Sequence, residues 1–261
     1  MNQLTLESNY QTPERKIHYL ARKFPAWFFY GKMVKTVFHA SHIAKKGKFN
    51  SEVFVDASLE IVSHLESVGA RFIVEYMDRF KQLDGPCVFV GNHMSTLETF
   101  ALPCIITPFK KVNFVVKESL YNYPVFKHVM HALQPIRVSR VNPREDLKTM
   151  MEEGLKQLSA GVSVIVFPQT TRQPRFDASG FNSIGTKLAS RANVPVVPVA
   201  VRTDAWGNGK KIKDFGAICP KRTIRFAFGN PIEVIGNGKE AQAEVVSFIE
   251  THVNQWFSED E

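Results

Sequence analysis

The chain has 261 residues, 44% hydrophobic and 22% charged, an ordinary globular composition long enough for one large α/β domain. Its three cysteines, Cys87, Cys104 and Cys219, are odd in number and show no CxxC or metal-ligand spacing, which argues against a disulfide framework or zinc site and for a reducing compartment. The net charge is +8, no run approaches the roughly 18 to 20 apolar residues needed to cross a bilayer, and the first residues lack a signal-peptide pattern, so a spanning protein is not expected.

Residues 1–12 are polar and are expected to be loosely held. From Glu14 onward Ile17, Leu20, Ala21 and Phe24, then Phe28, Val34 and Phe38, recur at helical spacing, and Pro25 is expected to break the pattern into two short amphipathic helices. Their apolar residues are mostly aromatic (Phe24, Trp27, Phe28, Phe29, Tyr30, Phe38). Nine Lys and Arg residues within 1–50 stand against only Glu7 and Glu14, nearly the whole basic excess. That composition suits a helix lying in the interface of an anionic membrane, where each cation adds about 1 kcal/mol. The alternative is that the aromatics pack on the main domain and the lysines form a solvated face. Nucleic acid is set aside, because no recognised binding motif accompanies the charge.

A third helix runs from Ser51 as cap to Gly69 as stop. Arg71 to Met77 alternates loosely, and the turn Asp84-Gly85-Pro86 leads into the apolar run Val88 to Val90, so a hairpin of these two strands is expected to feed the residues that follow. Those residues are Gly91-Asn92-His93-Met94-Ser95-Thr96-Leu97-Glu98, the end of a buried strand and the start of a helix. Ligands of α/β folds gather at that end. Histidine is the residue type that exchanges a proton near neutrality, and Glu98, five positions on, is near enough to orient its ring. The same letters also form a capping box, Ser95 to Glu98, in which the carboxylate is structural and the histidine is an ordinary turn residue. The stretch by itself supports both readings.

Strand and helix then alternate. Val112 to Val116 reads as a strand, Ser119 onward as a helix containing Pro124, and Ile136 to Arg140 as a short strand. Asn142-Pro143 starts a helix that ends before Gly161. Val162 to Phe167 is a buried strand whose end carries the polar loop Pro168-Gln169-Thr170-Thr171-Arg172. Ser183 to Ala192 reads as a helix, Val194 to Val201 and Thr223 to Phe228 as strands, and Lys239 to Trp256 as a closing helix. The alternation predicts an α/β fold with a single, mainly parallel sheet flanked by helices. The one boundary drawn separates amphipathic surface helices (1–50) from the main domain (51–261).

Four pieces now stand in order: Asn92-His93 with Glu98; Lys117 to the strand ending Ser139-Arg140; Phe167-Pro168-Gln169-Thr170-Thr171-Arg172; and Val194-Pro195-Val196-Val197-Pro198-Val199. Together, over residues 88–201, they resemble the lysophospholipid and glycerol-phosphate acyltransferase family. Its blocks read Asn-His-x4-Asp, an apolar strand and Arg, Phe-Pro-Glu-Gly-Thr-Arg, and Val-Pro-x-x-Pro-Val. The resemblance implies a glycerolipid-acyltransferase-like fold and transfer of a fatty acyl group from acyl-CoA or acyl carrier protein to the hydroxyl of a lysophospholipid, 1-acylglycerol-3-phosphate or a related lysolipid. It makes His93 the general base and Glu98 its orienter, and sets Arg172, Arg140, Lys117, Thr171, Thr170 and Gln169 around the acceptor, its phosphate facing the cations. It implies no metal and no cofactor beyond the thioester co-substrate.

Three letters depart from the family pattern: Glu98 for Asp, Gln169 for Glu and Thr170 for Gly. They imply an altered acceptor or a weakened enzyme, and they leave a non-catalytic lipid- or acyl-CoA-binding protein on the same fold as the rival. The place expected for the enzyme is peripheral or monotopic, on the cytoplasmic, inner face of a membrane.

Overall fold

The computed structural model describes residues 7–169 and 171–259. Eight strands form one sheet: β1 (Tyr10–Gln11), β2 (Phe72–Glu75), β3 (Val88–Gly91), β4 (Val112–Lys117), β5 (Ile136–Val138), β6 (Ser163–Val166), β7 (Val196–Arg202) and β8 (Ile224–Phe228), in the order β1-β2-β8-β7-β3-β6-β4-β5. β3 lies near the middle, parallel to β7 on one side and β6 on the other, and β4 and β5 continue in parallel beyond β6. β8 runs antiparallel to β7 and parallel to β2, so the sheet is mainly parallel with a reversed margin.

The expected hairpin does not form, because β8 and β7 stand between β2 and β3. The connection contains the one-turn helix α4 (Asp78–Lys81), which follows α1 (Tyr19–Lys23), α2 (Pro25–Lys45) and α3 (Ser51–Ser67) in the chain, and its Phe80 is fully buried, 4.6 Å from the Phe228 ring and 5.5 Å from that of Phe89. The segment thus packs on the face of the sheet. A strand buried on both sides, as β3 is throughout, is satisfied by parallel neighbours rather than by a hairpin partner.

Side chains of β3 alternate between two cores. Phe89 joins Ile165 and Val197 under the helices α3 (Ser51–Ser67) and α5 (Leu97–Ile106). Val88 and Val90 join Val164, Val166 and Val196 under α8 (Pro143–Ser159), α9 (Ile184–Ala192) and α10 (Lys239–Ser258), which follow α6 (Glu118–Tyr121) and α7 (Lys127–Leu133) in the chain. The cap of α3 is Asn50, not Ser51: its side chain accepts from the Val53 amide at 2.9 Å.

The amino-terminal region differs from expectation in two ways. Pro25 does divide the helical pattern in two, standing first in the second helix, where the turn needs no amide donor from it, but that second helix is long rather than short. After the five-residue α1 (Tyr19–Lys23), α2 runs for 21 residues, Pro25–Lys45, burying Phe29, Met33, Val37 and Ala40 and exposing Trp27 to 83%. Nor is the preceding segment loose from Ser8 onward. Tyr10 and Gln11 pair with β2, and Tyr10, Thr12 and Arg15 all bond the buried Glu66 carboxylate within 2.9 Å. Among the described residues no helix is long and apolar enough to cross a membrane.

Candidate active site

The β3 ladder ends at Gly91, and Asn92 takes over its attachment to β7: its side-chain amide donates to the Val201 carbonyl and accepts from the Val201 amide, each at 2.8 Å. The buried bidentate link fixes the chain where it leaves the sheet, and His93 is the next residue. The His93 backbone is held at both ends by the loop after β6. Its amide donates to Gln169 Oε1 at 2.6 Å, and its carbonyl accepts from the Gln173 amide at 2.9 Å. The ring lies flat on Phe167, with centroids 4.7 Å apart and planes 13° from parallel.

His93 Nδ1 is buried with no hydrogen-bond partner among the described residues, and Glu98 Oε1 lies 3.6 Å from it. The side chain is 12% exposed. Glu98 is completely buried at the start of α5 and accepts from the Met94 amide (2.5 Å), the Ser95 amide (2.9 Å) and the Ser95 hydroxyl (3.0 Å). Ser95 Oγ in turn accepts from the Leu97 amide at 3.0 Å. The carboxylate thus returns the bond to the Ser95 amide, as the capping reading expects, and also faces the imidazole, while the helix begins one residue later than expected, with Thr96 rather than Ser95 in the cap position. Burial alone would push the Glu98 carboxyl up. The His93 ring and the Ser95 and Met94 amides outweigh that penalty and hold it below the ordinary carboxylate value.

The other expected residues divide. Gln169 is only 4% exposed, and its Oε1 holds the His93 backbone amide, so it positions the histidine turn. That bond requires an acceptor oxygen and not a charge, which an amide supplies as well as a carboxylate. Replacing Gln169 with Glu should accordingly preserve turnover and stability, whereas Gln169→Leu should strand the His93 amide, lower the unfolding free energy by about 1–3 kcal/mol and cut turnover. Denaturant midpoints beside steady-state rates check this, and equal behaviour of the two variants would contradict it.

Arg172 approaches the histidine turn through a second loop. Its Nη2 pairs with Asp214 at 2.8 Å and its Nη1 lies 3.5 Å from Asn208 Oδ1. Asn208 donates to the Met94 carbonyl at 2.9 Å, and Thr96 Oγ1 donates to the same Asp214 oxygen at 2.8 Å. Asn208 and Asp214 were not foreseen. They lie in a polar, glycine-containing stretch without periodicity, and only the tertiary fold brings them beside residues 94–96. Thr171 is exposed, and Thr170 lies outside the described residues.

Lys117 and Arg140 stand two and three strands away from β3. Lys117 ends β4, exposed, and Arg140 follows β5 with φ of 60°, its amide donating to Asp146 Oδ2 at 2.7 Å. Both sit at the carboxyl edge of the sheet, but β6 separates β4 and β5 from β3. Cys87, Cys104 and Cys219 are free, and burial pushes the first two thiols up to about 12, where they remain protonated.

A family model described as "Acyltransferase" matches residues 71–202. The chain is 31% identical over 192 residues to a 1-acyl-sn-glycerol-3-phosphate acyltransferase of Pseudomonas aeruginosa, covering 73% of this chain and 70% of that protein. It is 26% identical over 137 residues to the chloroplastic 1-acyl-sn-glycerol-3-phosphate acyltransferase BAT2 of Brassica napus, covering 52% of this chain and 38% of that one. Among solved structures, the 1-acyl-sn-glycerophosphate acyltransferase PlsC of Thermotoga maritima superposes with a TM-score of 0.65 at 18% identity, over 90% of this chain and 96% of its own, which establishes the shared fold.

Proposed function

The chain belongs to the acyltransferase family, and from that premise we propose that it acylates the free hydroxyl of a lysophospholipid, 1-acylglycerol-3-phosphate or a close relative, using acyl-CoA or acyl carrier protein as donor. The observation that carries the reading is the His93–Glu98 pair: a buried carboxylate behind Nδ1, with the ring clamped on Phe167 and its backbone fixed at both ends. In the proposed reaction Nε2 removes the acceptor's hydroxyl proton as the oxygen attacks the thioester carbonyl. The resulting imidazolium, stabilised by Glu98, returns that proton to the departing thiolate. Atoms and charge balance without a further reactant.

Arg172, which shares Asp214 with Thr96 of this turn, is the proposed partner of the acceptor phosphate, with Asp214 holding the guanidinium in place until the phosphate arrives. The exposed aromatic and basic face of α1 and α2, with Tyr19, Phe24, Trp27 and Phe38, suits peripheral attachment to an anionic bilayer, where the acceptor resides. The residues at 98 and 169 retain bonds that order the turn, which favours a maintained active site over a decayed one.

The test is release of free thiol from palmitoyl-CoA, and from the carrier-protein thioester, with a panel of lysolipids. Release should depend on a lysophospholipid acceptor. Arg172→Ala should raise KM for phosphate-bearing acceptors about tenfold or more while changing KM for neutral ones little, since a charged hydrogen bond contributes about 1.5–3 kcal/mol. Measurable lysolipid binding with no thiol release from either donor would replace the enzyme with the binding protein.

A further inference from the structure

We propose that residues 207–216, which join β7 to β8 beside the histidine turn, form a second foot on an anionic phospholipid bilayer and seat the acceptor-binding arginine at headgroup level. The part concerning Arg172 rests on the acyltransferase reading, and the membrane contact stands without it. The loop is basic and apolar at once. Lys210, Lys211 and Lys213 are exposed with no ion-pair partner among the described residues, and between and beyond them Ile212 is 55% and Phe215 47% exposed. Large apolar side chains presented among lysines are characteristic of a surface that enters a charged membrane interface.

The projection is built rather than slack. Gly207 and Gly209 donate to the carbonyls of Ala217 (2.9 Å) and Lys213 (3.1 Å), and the Phe215 amide to that of Ile212 (3.0 Å). A Cβ on Gly216 would come within 1.8 Å of the Gly207 carbonyl oxygen, so the two arms touch where only glycine fits. The base is pinned by Trp206, whose ring packs 4.8 Å from Phe29 and whose Nε1 donates to the Asp214 carbonyl at 3.0 Å.

The loop is also continuous with the aromatic face of α2. Tyr30 donates its hydroxyl to the Gly216 carbonyl at 2.7 Å, and its ring lies 5.2 Å from Phe215. Trp27 and Val34, three residues before and four after Tyr30, share that face of the helix and are exposed. An acidic protein would match the lysines but would leave this aromatic continuation unused, whereas a bilayer matches both. From the same loop Asp214 holds Arg172 and Thr96, and Asn208 holds the Met94 carbonyl. Contact of the loop tip with headgroups therefore fixes the depth of the catalytic turn.

The full chain should be sedimented with vesicles of phosphatidylcholine alone and of phosphatidylcholine mixed with phosphatidylglycerol. Ile212→Glu and the double change Lys210→Ala with Lys211→Ala should each weaken binding to the anionic vesicles about tenfold or more. Lys156→Ala on α8, a solvent-exposed cation remote from the loop, should leave binding unchanged. With lysolipid embedded in those vesicles the loop variants should raise KM, and with a short-chain, monomeric lysolipid they should turn over as the wild type does. Vesicle binding equal to wild type in both loop variants overturns the proposal, as does loss of turnover confined to the carrier-protein thioester, which would make the loop a donor-docking surface. If the wild type transfers no acyl group to any acceptor, the enzymatic reading fails while the sedimentation result still decides the membrane contact.

Discussion

His93→Ala will lower acyl transfer by about 10²- to 10⁴-fold, the range spanned by removal of a positioned general base, and will leave a folded protein. The expectation of retained structure is specific to how the residue is held. Gln169 and Gln173 bind the backbone of residue 93, not its ring, and the Asn92 link to Val201 is likewise independent of the imidazole. What disappears is the stack on Phe167 and the ring that faces Glu98, whose carboxylate keeps the Met94 and Ser95 amides and the Ser95 hydroxyl. Thiol release beside a thermal melt separates the two effects. Turnover near wild type in the alanine variant would remove His93 from the chemistry, whereas a collapsed melt would show that the ring, and not the backbone clamp, maintains the turn.

The local part of this site was legible in the sequence because it is local. A strand that ends in Gly91-Asn92, a histidine and a capping box lie within eleven consecutive letters, and the spacing of Ser95 and Glu98 is set by one helical turn. The alternation of later elements likewise conveyed the parallel sheet. Non-local pairing was not legible. Nothing in Arg71 to Met77 says that β2 lies beside β8, because a four-residue strand accepts either neighbour and the choice is made by Phe80 packing on Phe89 and Phe228.

The same limit separates Gln169 from Lys117 and Arg140. All three belong to the blocks that carry the family resemblance, and only the strand order puts β6 next to β3 and so brings Gln169 to the His93 amide, while Lys117 and Arg140 stand at the ends of β4 and β5, beyond β6. Asp214 and Asn208 stand in a stretch with neither periodicity nor motif, more than 110 residues after the turn they bind, and their contribution is a matter of loop geometry alone.

Glu98 is the residue on which catalysis and stability meet, and two substitutions pull them apart. Glu98→Gln keeps an oxygen for the Met94 and Ser95 amides but removes the negative charge behind Nδ1, so turnover should fall by up to about 10⁴-fold, as when the carboxylate of a Ser-His-Asp triad is neutralised, while the protein stays folded. Glu98→Ala also strands those buried amides and should cost about 2–5 kcal/mol of unfolding free energy. Acid provides an independent check. Because the native carboxyl titrates below its ordinary value, the unfolded chain binds the proton first as pH falls. The stability that ionised Glu98 contributes is therefore complete above the ordinary carboxylate pKa of about 4.3 and is lost as pH drops through the lower native value. Denaturant midpoints from neutral pH into acid should fall more steeply for wild type than for Glu98→Gln, and parallel curves would mean that the carboxylate is not held ionised in the native turn. Loss of turnover in Glu98→Gln with an unchanged neutral-pH midpoint would assign the charge to the imidazolium, and full activity in that variant would reduce Glu98 to a helix cap.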